Sequence, residues 1–129
     1  MDNIHQFVAI RFVQLAQPLR IALDGPRSGV PLLLLNGIGA NLELLQPFVD
    51  SLGPDIGSIR IDVPGAGGSP PPRLPYRIRG LARLMSRALG QLGYDRVDVL
   101  GVSWGGALAQ QLALQYPAVC RRLVLVNTD

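Results

Sequence analysis

The sequence predicts an α/β chain built on a mostly parallel sheet with helices on both faces. Short apolar runs of strand length alternate with segments of helical spacing, in the order β β β α β α β α β. One run, Leu32-Leu33-Leu34-Leu35, is apolar at every position, as a strand covered on both faces must be. The breaks between runs fall on glycine and proline clusters, which end regular structure.

Each element has its own signature. Residues 4–15 read as a strand, with Phe7, Ala9 and Val13 among Gln6, Arg11 and Gln14. Residues 19–23 read as a second strand, closed by the turn Asp24-Gly25-Pro26. Residues 30–35 form a third, broken sharply by Asn36-Gly37-Ile38-Gly39. Over 42–52, Leu42, Leu45, Val49 and Leu52 keep helical spacing. Pro47 lies inside that stretch, so its first turn is expected to be separate or kinked. Residues 58–63 alternate Ile59, Ile61 and Val63 as a strand and enter a long Gly/Pro loop. Residues 77–92 are an amphipathic helix with Ile78, Leu81, Leu84, Met85, Ala88, Leu89 and Leu92 on one stripe, stopped by Gly93. A strand over 97–102, a helix over 104–116 ending before Pro117, and a strand over 122–126 complete the order. No repeat and no second domain is visible, so 1–129 reads as one unit.

Composition narrows the function classes. Hydrophobic residues make up 48% and charged residues 16% of the 129, against about 25% charged in ordinary globular chains. A chain this apolar either buries a large core or is a piece of something larger. The net charge is +3, carried entirely by arginine. Arg79, Arg83 and Arg87 recur every four residues and read as a solvated helix stripe. No aromatic residues interleave with them, which argues against nucleic acid. Cys120 is the single cysteine, so no internal disulfide can form. The N-terminus lacks a signal-peptide pattern, and no apolar run approaches the ~18 residues of a membrane span, so a cytoplasmic address is expected.

Chemistry concentrates at Gly101-Val102-Ser103-Trp104-Gly105, a G-x-S-x-G motif. A strand precedes Ser103 and a helix follows it, so a tight turn would present the serine hydroxyl at the carboxyl edge of the sheet as a nucleophile. Gly101 and Gly105 leave room in that turn, and Gly106 would let the new helix approach the sheet closely. The loop Asn36-Gly37-Ile38-Gly39 follows the buried third strand. Its Ile38 N–H, with that of Trp104, is expected to form an oxyanion hole for a tetrahedral intermediate. Asp62, at the head of the loop Asp62-Val63-Pro64-Gly65-Ala66-Gly67-Gly68-Ser69, is expected to fix that loop rather than to act in catalysis.

Together these elements resemble the α/β-hydrolase superfamily over nearly the whole chain. The runs NGIGANLELLQPFVDSL, DVPGAGGSPPPRLPYRIRGLARL and GVSWGGALAQQLALQYP are similar, more closely, to intracellular medium-chain-length poly(3-hydroxyalkanoate) depolymerases. Asn36, where many relatives carry His, fits that subgroup. The resemblance implies a serine ester hydrolase acting on stored polyester by a Ser-Asp-His acyl-enzyme mechanism. Ser103 would be the nucleophile, and Ile38 and Trp104 would line the oxyanion hole. A polyester or acyl-ester substrate and a polymer-granule surface are the partners it implies.

The chain departs from that pattern after Ser103. In this fold the triad follows the order Ser, Asp or Glu, His, yet no histidine follows Ser103. The only one, His5, reads as an exposed strand residue. Asp129 is the only acid after Ser103 and receives no triad role. The expectation is therefore the N-terminal portion of one hydrolase domain, truncated after about the sixth strand, without the lid, the last strands, or the triad acid and histidine. Alone it is expected to be inactive, because a serine without its base is a weak nucleophile, and to expose an aggregation-prone sheet edge. A general carboxylesterase, thioesterase or acyl transferase on the same scaffold stays open. So does a non-catalytic protein that binds a granule or a partner. No metal-ligand spacing is present, and the proposed chemistry needs no cofactor.

Overall fold

Alternation of side chains decides which way each strand faces. The computed structural model describes residues 9–13, 19–26, 28–36, 42–63 and 77–127. Its strands are β1 (Ala9–Val13), β2 (Leu19–Asp24), β3 (Leu32–Leu35), β4 (Ser58–Ile61), β5 (Val97–Val102) and β6 (Cys120–Val126), in the sheet order β1-β2-β4-β3-β5-β6. The β1–β2 and β2–β4 pairs are antiparallel, whereas β4–β3, β3–β5 and β5–β6 are parallel. This is the mostly parallel α/β sheet expected.

On one face, Leu19, Ile21, Leu33, Leu35, Ile59, Val97 and Val99 are fully buried or nearly so. Two helices cover them: α2 (Ile78–Leu92) and α3 (Trp104–Gln115). Met85 and Leu89 from α2 and Leu108 and Leu112 from α3 enter the same core at 0% exposure. Burying one such leucine contributes roughly 1.5–3 kcal/mol, so this layer carries most of the fold. Gly93 ends α2 in the left-handed conformation, φ 89°.

The opposite face is polar at its β2–β4 end. Arg20 and Asp24 of β2 lie on the same side as Arg60 of β4 and the adjoining Asp62. A 3-10 turn, Leu42–Leu45, and the short helix α1 (Gln46–Asp50) cover them. Pro47 sits in the first turn of α1, where its missing N–H costs nothing, and the turn before it is separate, as its position predicted. Arg60 is 3% exposed. Its Nη2 donates to Asp24 Oδ2 at 2.9 Å and to Gln46 Oε1 at 2.8 Å. Arg20 donates from Nη2 to Glu43 Oε2 at 2.6 Å and from Nη1 to Asp62 Oδ2 at 3.3 Å.

Some boundaries differ from the sequence reading. The third strand begins at Leu32 rather than residue 30, and the fourth ends at Ile61 rather than residue 63. Beyond the strand's end, Asp62 still donates its N–H across the sheet to Arg20 O at 3.0 Å. The last strand starts two residues early, at Cys120, because an irregularity lets Asp98 pair with Arg122 and leaves Arg121 out of register. The displaced Arg121 binds both oxygens of Asp98, at 2.9 and 2.8 Å. At the sheet's edge, β6 leaves Leu123, Val124, Leu125 and Val126 between 37% and 49% exposed. Among the described residues, no helix is long and apolar enough to cross a membrane.

Candidate functional site

The strand order locates the site before any side chain is considered. From β3 the chain crosses to β4 on one side. From β4 it returns over β3 to β5, and continues outward to β6. The connections after β3 and β5 therefore diverge, and α1 and α3 lie on opposite faces. A crevice opens outside the carboxyl ends of adjacent strands whose connections diverge in this way, and open α/β sheets bind ligands there. Ser103 follows β5 directly, and Asn36 follows β3.

The backbone at Ser103 is unusual. Its φ of 56° and ψ of −123° lie in a region that non-glycine residues seldom adopt, at a cost on the order of 1–3 kcal/mol. Two hydrogen bonds hold the turn. The Ser103 N–H donates to Val126 O at 2.9 Å, and the Gly106 N–H donates to Ser103 O at 2.9 Å. Ser103 precedes α3, but its hydroxyl does not cap the helix, and the residue is exposed. Among the described residues, no titratable side chain hydrogen-bonds it.

The flanking glycines are needed because two pieces of backbone approach closely. A β-carbon on Gly101 would come within 2.6 Å of both Gly105 O and Gly106 Cα. One on Gly105 would overlap the carbonyl of Leu35 and come within 2.7 Å of Asn36 O. Gly105 therefore seats the start of α3 against the end of β3. This brings the backbone of Asn36 to the serine turn. The Trp104 N–H belongs to the first turn of α3, whose donors have no acceptor within the helix. The Trp104 side chain packs against the core. Gly37, Ile38 and Gly39 lie outside the described residues, as do His5 and Asp129.

Asp62, read from sequence as a loop-fixing carboxylate, is 2% exposed and engaged by Arg20. Sequence reasoning did not identify that arginine. Through its two partners, Arg20 joins the 3-10 turn after β3 to the end of β4, so it links the segments leaving two neighbouring strands at the site's edge. Hydrogen bonding to Arg20 holds the Glu43 carboxyl below its ordinary range, opposed by a smaller effect of burial. Arg121 does the same to Asp98 at the far end of β5. Arginines 20 and 60 gave no periodic signal, since a charged residue in a strand looks solvent-facing until the element covering it is known. Asn127, with φ 52° just after Val126, is a second non-glycine residue in the left-handed region and was also not anticipated.

Known proteins share this architecture. Residues 30–129 match the family described as alpha/beta hydrolase fold. A poly(3-hydroxyalkanoate) depolymerase from Ectopseudomonas oleovorans is 60% identical over 113 residues, which are 87% of this chain and 40% of that protein. A pimeloyl-[acyl-carrier protein] methyl ester esterase from Legionella pneumophila is 30% identical over 86% of this chain and 43% of its own length. A hydrolase of known structure from Pseudomonas aeruginosa PA01 superimposes with a TM-score of 0.86 and 33% identity, over 92% of this chain and 46% of that one. The chain thus spans less than half the length of these relatives. With a six-stranded sheet of this order, a strained serine between β5 and α3, and a family match over residues 30–129, the chain belongs to the alpha/beta hydrolase fold family.

Proposed function

We propose that Ser103 is the nucleophile of a serine ester hydrolase whose substrate is a poly(3-hydroxyalkanoate) polyester. The observation that carries the nucleophile is the strained, exposed Ser103 where the connections leaving β3 and β5 diverge. The substrate rests on 60% identity to a depolymerase of that polymer.

In this reading, Ser103 Oγ attacks an ester carbonyl carbon and passes its proton to a base. The negative oxygen of the tetrahedral intermediate accepts hydrogen bonds from the Trp104 and Ile38 N–H groups. Collapse breaks the ester C–O bond as the protonated base gives its proton to the leaving oxygen, so a hydroxyl-ended chain departs and an acyl-serine remains, which water hydrolyses. Gly101, Gly105 and Gly106 let the turn form, and Asn36, Gly37 and Gly39 support the oxyanion loop. No cofactor takes part. Residues 1–129 are read as the N-terminal portion of one hydrolase domain, with the triad acid and histidine outside them and a cytoplasmic, granule-associated setting.

The test compares polymer and short p-nitrophenyl ester hydrolysis by the full-length enzyme carrying this sequence, with and without Ser103→Ala. Loss of both activities by about 10³-fold or more is expected. Retained ester hydrolysis in Ser103→Ala would exclude the nucleophile. Turnover of short esters without polymer would favour a general esterase, a reading supported by the 30% identity to a methyl ester esterase.

A further inference from the structure

The outer face of α2 carries positive charge where a helix tolerates it least. Arg79, Arg83 and Arg87 are all exposed and one turn apart, so each faces a like charge. Arg77 is the N-cap and Arg79 lies in the first turn, at the end where the helix dipole is already positive. Helix α2 contains no Asp or Glu, and α3 beside it contains no charged residue at all. The described ion pairs engage Arg20, Arg60 and Arg121. Among the described residues, the guanidinium groups of Arg77, Arg79, Arg83 and Arg87 meet no carboxylate. The segments outside the described residues add only two acids, Asp2 and Asp129.

An exposed apolar side chain lies in sequence beside the residue that joins α3 to this helix. The Gln115 side chain of α3 donates to the Arg79 carbonyl at 3.2 Å, joining the end of α3 to the start of α2. The residue before it, Leu114, is 77% exposed, the most exposed large hydrophobic side chain described. The stripe itself runs about 12 Å from Arg79 to Arg87, at the ~1.5 Å rise per residue of an α-helix.

We propose that the face of Arg77, Arg79, Arg83 and Arg87, aided by the exposed Leu114 of α3, docks the protein onto an anionic phospholipid surface. The guanidiniums bind lipid phosphates, a charge-assisted pairing to which their fork geometry is suited. Leu114 enters the boundary between headgroups and acyl chains, as apolar residues of interfacial helices do. Opposite charge beneath the helix also relieves the repulsion along the stripe. Nucleic acid fits less well, because neither helix presents an exposed aromatic residue on which a base could stack. The proposal is independent of the esterase reading.

The test is co-sedimentation of the full chain with phosphatidylcholine vesicles, with and without phosphatidylglycerol. Binding is expected only with phosphatidylglycerol and should weaken as salt rises. Replacing Arg79, Arg83 and Arg87 by Gln should lower affinity roughly fivefold per arginine, about 10²-fold together. Leu114→Asn should weaken binding without changing its salt dependence. Arg122→Gln, on β6, should leave binding intact. These side chains are exposed, so helical circular dichroism should be unchanged. Equal binding to neutral vesicles, no binding to either, undiminished binding by the triple variant, equal loss in Arg122→Gln, or equally tight capture of duplex DNA at the same salt would overturn the proposal.

Discussion

Gly105 lies so close to Leu35 that a β-carbon on the glycine would overlap the leucine's carbonyl. The obstructing atoms are backbone and cannot rotate away. Gly105→Ala must therefore push α3 from β3 or displace the end of β3. A loss at the upper end of the roughly 1–3 kcal/mol typical of overpacking is expected, visible as a lower urea midpoint. An unchanged midpoint would mean that β3 and α3 are not seated as described.

Ser103 holds a backbone conformation that glycine adopts without strain. Ser103→Gly should match or exceed the parent's stability, by up to about 1 kcal/mol. Ser103→Ala keeps the strain and should unfold near the parent's midpoint. Thermal melts of the two variants separate conformational strain from loss of the hydroxyl; a Gly variant clearly less stable than Ala would contradict the strain.

Arg60 and Asp24 form a pair at 2.9 Å, with side chains 3% and 10% exposed. Arg60→Ala would leave Asp24 charged against the sheet, so a loss of about 3–5 kcal/mol is expected. Arg60→Met combined with Asp24→Leu removes both charges and should cost much less. A double-mutant cycle of urea midpoints measures the coupling, and additive losses would show that the pair contributes none.

The Arg20–Glu43 pair gives a pH dependence with a definite sign. Glu43 titrates below its ordinary range in the folded chain. The stabilisation is therefore present above the unfolded glutamate range and is lost as pH falls through the lower folded range. Glu43 is 56% exposed in its side chain, so solvent screening limits the pair to about 1 kcal/mol or less. Glu43→Gln should flatten that part of the stability curve; a curve unchanged in shape would mean the pair is not populated in solution.

The Cys120 thiol is pushed up from its ordinary range, first by burial and then by the charge of Asp98. Less thiolate forms at neutral pH, so iodoacetamide should alkylate Cys120 more slowly than a free thiol peptide. The rate should rise at a higher pH than for that peptide. Asp98→Asn should bring the profile part of the way back.

Local signals revealed the strands and longer helices, because apolar runs, helical repeats and glycine or proline breaks are properties of neighbouring residues, although 42–52 read as one helical stretch and folds as a 3-10 turn followed by α1. The spacing of Ile78, Leu81, Met85 and Leu92 defined α2, and Gly93 its end. The motif around Ser103 marked the turn, because a strand, a helix and paired glycines lie within a few residues. Tertiary structure decided what depends on distant partners. It set the strand order, in which β2 and β4 pair antiparallel at one end and the connections leaving the paired strands β3 and β5 diverge around the site. It buried Arg60, and it brought Arg20 to Glu43 and Asp62, partners 23 and 42 residues away. It also gave the glycine at 105 its reason, since the atoms that exclude a side chain there belong to Leu35 and Asn36. A sequence displays the repeat of each segment, but a close contact between segments exists only once the sheet has assembled.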